Sequence, residues 1–220
     1  GTIGRAATLC GEAGPYLSPL PGGAMNMLPK ALYGTADWQS ALRAVLADPH
    51  VKAVSGGDAG GHRFFCAAIL GAPSLWADAR EALRDRDLVA AAKRAVTAAR
   101  RSLSDAIEYE FGETTGSADA VAVICPLISQ DMHPDDAALE AVAVDPDTAV
   151  GLFGLAFHAV FDGWRNDASV TRAKVRTVDV RAYGEIPVIL DGEKIEIERH
   201  VHIRFLPVAF RALVPEGQVA

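Results

Sequence analysis

The sequence predicts an α+β chain whose larger part is an antiparallel β-sandwich-like body carrying a few helices, and three observations lead there. The hydrophobic period is helical early in the chain and becomes two beyond Asp105. The segments of period two are short and are joined by Gly, Pro and Asp turns, the texture of antiparallel sandwiches and barrels. Between Tyr16 and Leu32, an apolar run, a Pro-Gly-Gly turn and a helical pattern follow one another, the order found in α/β units.

Taken in order, Thr2 to about Cys10 reads as a helix ended by Gly11 and Gly14. Tyr16 to Leu20 reads as a buried strand, and Pro21-Gly22-Gly23 as a sharp turn. A helix opens near Asn26 and runs to about Tyr33, with Asn26 as its cap and Pro29 in the first turn, where a missing donor costs little. Glycines placed between a strand and a helix let backbone N–H groups approach an anion with no Cβ in the way. An ordinary strand–turn–helix connection is the plainer alternative. Asp37 to Leu46 is the next helix, with Trp38, Ala41, Leu42 and Val45 on one face, and Asp48-Pro49 closes the region. These first 48 or so residues hold too little apolar surface to be a domain alone.

From His50 the texture changes. Val51 to Ser55 and Phe64 to Leu70 read as strands joined by the glycine-rich turn Gly56 to Gly61. Pro73 to Ser102 reads as helical, with Arg94 and Arg101 opposite an apolar stripe. That is a solvated cationic face, or contact with an anionic membrane surface. Strands are expected at Ala106 to Phe111, Ala120 to Ile124, Leu139 to Val144 and Val170 to Val180. Further strands are expected at Ile186 to Leu190, Lys194 to Glu198, Val201 to Leu206 and Phe210 to Val214. Asp147 to Trp164 is an intervening helix.

Composition narrows the function. Half of the 220 residues are hydrophobic and 22% are charged, as in a globular chain of one or two domains. The net charge of −7 argues against a nucleic-acid partner. Cys10, Cys66 and Cys125 lie far apart in no metal-like spacing and suit a reducing compartment. The longest apolar segment, Ala149 to Phe161, is too short to span a bilayer, so a soluble protein is expected. His200-x-His202 places two imidazoles on one strand face, as some zinc sites do, but no third ligand follows at a sensible spacing. Ordinary strand histidines are the expectation there. Asp191-Gly192 lies between two strand patterns and is a strong type I′ hairpin signal, which needs no function to explain it.

Three segments taken together resemble the diacylglycerol kinase catalytic family, which includes bacterial lipid kinases and sphingosine kinases. They are Gly1-Thr2-Ile3-Gly4-Arg5-Ala6-Ala7, Pro21-Gly22-Gly23-Ala24-Met25-Asn26 and Ile189-Leu190-Asp191-Gly192-Glu193. That family carries a Gly-Gly-Asp-Gly-Thr phosphate loop, a Gly-Thr-x-Asn-Asp turn and a late Asp-Gly-Glu. Gly1-Thr2 is similar to the end of the first motif, which implies that the strand and Gly-Gly-Asp before it are absent from this chain. Arg63 to Gly71 is similar to the aromatic run and glycine of a family hairpin.

The resemblance implies that residues 1–48 are the C-terminal part of an α/β nucleotide-binding domain lacking its first strands. Residues 49–220 would be a β-rich lipid-substrate domain, with its last residues as candidates to return to the first. The implied activity is ATP-dependent transfer of the γ-phosphoryl group to the hydroxyl of diacylglycerol or a related lipid, with Mg²⁺. Gly1, Thr2, Gly22, Gly23, Ala24 and Asn26 would contact the nucleotide. Asp191 and Glu193 would be catalytic, Glu193 as general base. Asp136, in Asp135-Asp136-Ala137-Ala138-Leu139, would mark a structural metal, with a solvated acidic loop as the plainer reading. Two departures stand out: Ala24 replaces the usual Thr, and Met27 the usual Asp. The implied setting is cytoplasmic, with peripheral contact at the inner membrane face and room for a homodimer. The rivals are an inactive lipid-binding protein of the same fold and a NAD kinase, whose Asn-Glu motif has no counterpart here.

Overall fold

Period-two alternation produces two six-stranded antiparallel sheets in the computed structural model, which describes residues 1–23, 25–71, 106–144, 170–197 and 199–216. Three helices come first: α1 (Thr2–Cys10), α2 (Met27–Tyr33) and α3 (Trp38–Ala47). The strands up to the middle of the chain are β1 (Pro49–Ala59), β2 (His62–Phe64), β3 (Ala67–Gly71), β4 (Ile107–Phe111), β5 (Thr114–Ala118), β6 (Ala120–Ile124) and β7 (Leu139–Val144). Then come β8 (Val170–Val175), β9 (Thr177–Arg181), β10 (Ile186–Leu190), β11 (Glu193–Ile197) and β12 (His200–Pro215). One sheet has the order β2-β1-β12-β9-β4-β5 and the other β11-β10-β3-β6-β7-β8. The two bury their inner faces against each other, with Val178, Val180, Val201 and Ile203 of the first meeting Leu70, Val121, Val123, Ile186 and Val188 of the second. This is the expected α+β class.

A second core lies at the far end of β1 and β12, where the three helices pack. Leu28, Leu32 and Tyr33 of α2 and Ala41 and Val45 of α3 bury there against Val54, Phe210, Ala212 and Val214. Along β12 the buried positions switch from odd-numbered (Val201, Ile203) to even-numbered (Phe210, Ala212, Val214). One strand therefore serves both cores, and the second half of β12 packs against the three early helices. The switch follows a register shift between Val54 and Gly56 of β1, opposite Leu206 to Phe210.

Several boundaries differ from expectation. Tyr16 to Leu20 is not a buried strand: Leu17 makes one parallel bridge, to Ala212, and Tyr16 is exposed. The glycine-rich turn shrinks to Gly60-Gly61, because Gly56 to Ala59 continue β1. A Cβ on Gly57 would fall 2.1 Å from the Phe64 ring, so the close pairing of β1 with β2 requires glycine there. Phe64 to Leu70 is two strands, β2 and β3, which break at Phe65-Cys66 and join different sheets. Val170 to Val180 likewise splits between sheets, whereas Val201 to Leu206 and Phe210 to Val214 fuse into β12 through Pro207. The helices expected at Pro73 to Ser102 and Asp147 to Trp164, with Arg94 and Arg101, lie outside the described residues, as does Ala24.

Candidate active site

The break between β2 and β3 and the turn between β10 and β11 meet, and one side chain joins them. Asp191 and Gly192 have φ of 49° and 87°, the left-handed pair that a type I′ turn requires. From this turn, Asp191 Oδ2 accepts the amide of Phe65 at 2.7 Å, and Oδ1 accepts those of Cys66 and Ala67 at 2.7 and 3.0 Å. These are the amides that a strand crossing between sheets leaves without a ladder partner. Burial pushes the Asp191 carboxyl above its ordinary range, while the three amides pull it back. The hairpin is thereby clamped to the floor of a cavity of about 490 Å³.

The early part of the chain forms the opposite wall. Gly1, Thr2, Gly22, Gly23 and Asn26 line this cavity together with Asp191 and Gly192. A Cβ on Gly192 would lie 2.3 Å from Met25 Cε, so the late hairpin touches the early turn directly. Glu193 is exposed, and its carboxylate bonds the Gly1 nitrogen at the rim. The sequence-predicted site residues described by the structure thus converge, with the exception of Asp136.

Asn26 sits at the N-cap position of α2 in the left-handed conformation but makes no capping bond. Its Oδ1 turns backward and accepts the amides of Gly22 and Gly23 at 3.0 and 2.8 Å. The glycine amides expected to face an anion are therefore satisfied inside their own loop. Met27, Phe65, Ile69 and Ile189 give the rest of the cavity an apolar lining. Met27 is one of the two departures from the family motif, Ile189 opens the late motif, and Phe65 and Ile69 of the aromatic hairpin are drawn in by the strand crossing, which no local pattern announces. Cys66 also lines the cavity, and Cys125 lies beneath it; burial, then the Asp191 charge, pushes both thiols well up, so neither is a nucleophile at neutral pH.

Asp136 lies elsewhere, in an exposed loop. Its Oδ2 accepts Lys174 Nζ at 3.2 Å and the His133 amide at 3.1 Å, and the Lys174 bond leads in holding its carboxyl below the ordinary range. An ammonium group already stands where a cation would sit. Among the described residues, ligand atoms of Asp48, His50 and Glu216 gather within 4.8 Å of one another; all three are exposed and none lines the cavity. Among those residues, too, no helix is long and apolar enough to cross a membrane.

No protein-family model matches the chain, and no curated protein matches its sequence. Solved structures do match its fold. Three structures of diacylglycerol kinases from Bacillus anthracis str. Sterne, two of them provisionally assigned as such, superpose with TM-scores of 0.67, 0.63 and 0.65 at 18%, 16% and 17% identity. Each alignment covers 94–95% of this chain and 69–72% of the other. The chain has the fold of these kinases.

Proposed function

We propose that the chain is the larger part of an ATP-dependent lipid kinase, which phosphorylates the hydroxyl of diacylglycerol or a related lipid. The observation that carries this reading is the convergence, around one cavity, of Gly1-Thr2, Gly22-Gly23, Met25-Asn26 and Asp191-Gly192, with Glu193 bonded to Gly1 beside it. The kinase fold of the matched structures supports it.

The cavity has the size of a small-molecule site. Among the described residues, its lining holds glycines, a threonine, Asn26, Asp191, Cys66 and apolar side chains but no Lys or Arg. The residues suit a nucleotide whose phosphate charge is offset by a divalent ion arriving with it. Bound MgATP would supply the phosphoryl group. Gly1 and Thr2 would hold the phosphate end, while Asn26 keeps the Gly22-Gly23 loop closed beside it. Phe65, Ile69 and Ile189 exclude water from the reacting atoms. Asp191 positions the hairpin and is not the base, since both its oxygens are engaged by amides. Glu193, exposed at the rim, takes the proton from the acceptor hydroxyl as it attacks.

The test is radiolabel transfer from ATP to diacylglycerol in mixed micelles by the intact protein. Phosphatidate should form, and Glu193→Gln should lower kcat about 10²–10⁴-fold with little change in nucleotide affinity. Near-normal turnover of that variant would remove Glu193 from the mechanism. One observation favours a second reading, an inactive lipid-binding protein: Met27 stands in the cavity where the resemblance places a carboxylate, beside glycine amides already satisfied. That reading predicts binding of the lipid with no transfer to it.

A further inference from the structure

The sequence sets His200 and His202 on one face of a strand and offers no third ligand nearby. The fold supplies one from a different strand. β12 pairs with β9 so that His202 stands opposite Asp179, and His200 opposite Arg181. Both imidazoles turn to the same carboxylate: His200 Nε2 lies 2.7 Å from Asp179 Oδ1, and His202 Nδ1 lies 3.1 Å from Oδ2. Both histidines are exposed, while Val201 and Ile203 between and beyond them are buried in the sandwich. The backbone beneath the cluster is therefore held by core packing.

We propose that His200, His202 and Asp179 form a binding site for a divalent transition-metal ion of the zinc type. Two imidazoles and a carboxylate are the donor set that such ions take, with nitrogen and oxygen ligands at about 2.0–2.2 Å. Histidines at i and i+2 share a strand face about 6.6–6.8 Å apart along the chain, so both rings can turn toward an ion held between them. Asp179 on the neighbouring strand closes the triangle. The ion would replace the two present hydrogen bonds, and the two rings, whose ligand atoms and the Asp179 oxygens do not yet gather within 4.8 Å of one another, would have to turn toward it from the solvent-facing side. Glu110, exposed on β4, is the cross-strand partner of Asp179. A cleft of about 460 Å³ opens beside Asp179 and leaves room for water or an anion on the ion. Arg181 and Glu108 face each other in the adjacent row, so their charges offset one another there.

This site stands on different residues from the lipid kinase reading and is independent of it. The experiment is calorimetric titration of the intact protein with Zn²⁺, repeated for His200→Ala/His202→Ala, Asp179→Asn and, as a control for the exposed group at Asp48, His50 and Glu216, His50→Ala. The expected result is one ion bound at micromolar Zn²⁺ by the wild type and by His50→Ala. Binding should weaken on the order of 10–100-fold or more in the other two, since even losing an outer-shell partner costs that much. Imidazole ¹⁵N signals of His200 and His202 in the wild type should shift with the first equivalent, a readout that needs no variant to fold. Absence of binding by the wild type, or full binding by the double-histidine variant, overturns the site. Unchanged affinity in Asp179→Asn overturns its three-ligand form.

Discussion

At the scale of single residues, Asp191 shows how much one carboxylate can organise. It stands at a left-handed turn position and accepts three amides from a segment some 125 residues earlier in the chain. Asn at this position keeps the size and tolerates the backbone conformation, but one acceptor oxygen becomes a donor facing an N–H group. Asp191→Asn should therefore cost about 1–3 kcal/mol, read as a lower urea midpoint with an unchanged slope. An unaltered midpoint would deny the clamp. The turn itself was legible from Asp-Gly between two apolar runs. Its grip on Phe65, Cys66 and Ala67 was not, because hydrogen bonds between distant segments leave no periodic trace. Asn26 tells the same story in reverse. The sequence marks it as a helix cap, and the structure bends its side chain back onto Gly22 and Gly23.

Among the elements, α3 is where local chemistry and outcome agree most closely. Asp37 caps it by accepting the Ser40 amide at 2.8 Å, and its bonds to Ser40 hold the carboxyl below its ordinary range. A carboxyl lowered by folding adds stability that is present above its unfolded value, about 3.9, and is lost as the pH falls through the lower folded value. The Tm difference between wild type and Asp37→Ala should accordingly be constant near neutrality and shrink once the pH drops below about 4. A difference independent of pH would mean that the cap acts through shape alone. Strands were read well where alternation is clean, as in β4, whose burial alternates residue by residue. β5 carries no alternating signal because Thr114-Thr115-Gly116-Ser117-Ala118 has only one buried position. β8 and β9 look like one strand in the sequence because nothing in the hydrophobic pattern records that the chain changes sheets at Arg176.

For the molecule as a whole, the class was legible from period and turns, and the grouping of the candidate site only through the short motifs near Gly1, Gly22 and Asp191. What no local pattern held is the doubling of cores along β12. Because its second half, Leu206 to Pro215, is the surface on which α1 to α3 settle, synthesis and assembly run out of step. The helices leave the ribosome first, yet their partner follows roughly 160 residues later, a delay on the order of 8–30 s at ordinary elongation rates. Stalled nascent chains that end before Leu206 should leave residues 1–48 open to protease, and chains released beyond Pro215 should protect them. Equal protection in both would show that the helices hold together unaided. Until β12 arrives, the three helices lack the surface on which they settle, so nothing yet holds the early segments opposite the Asp191 hairpin.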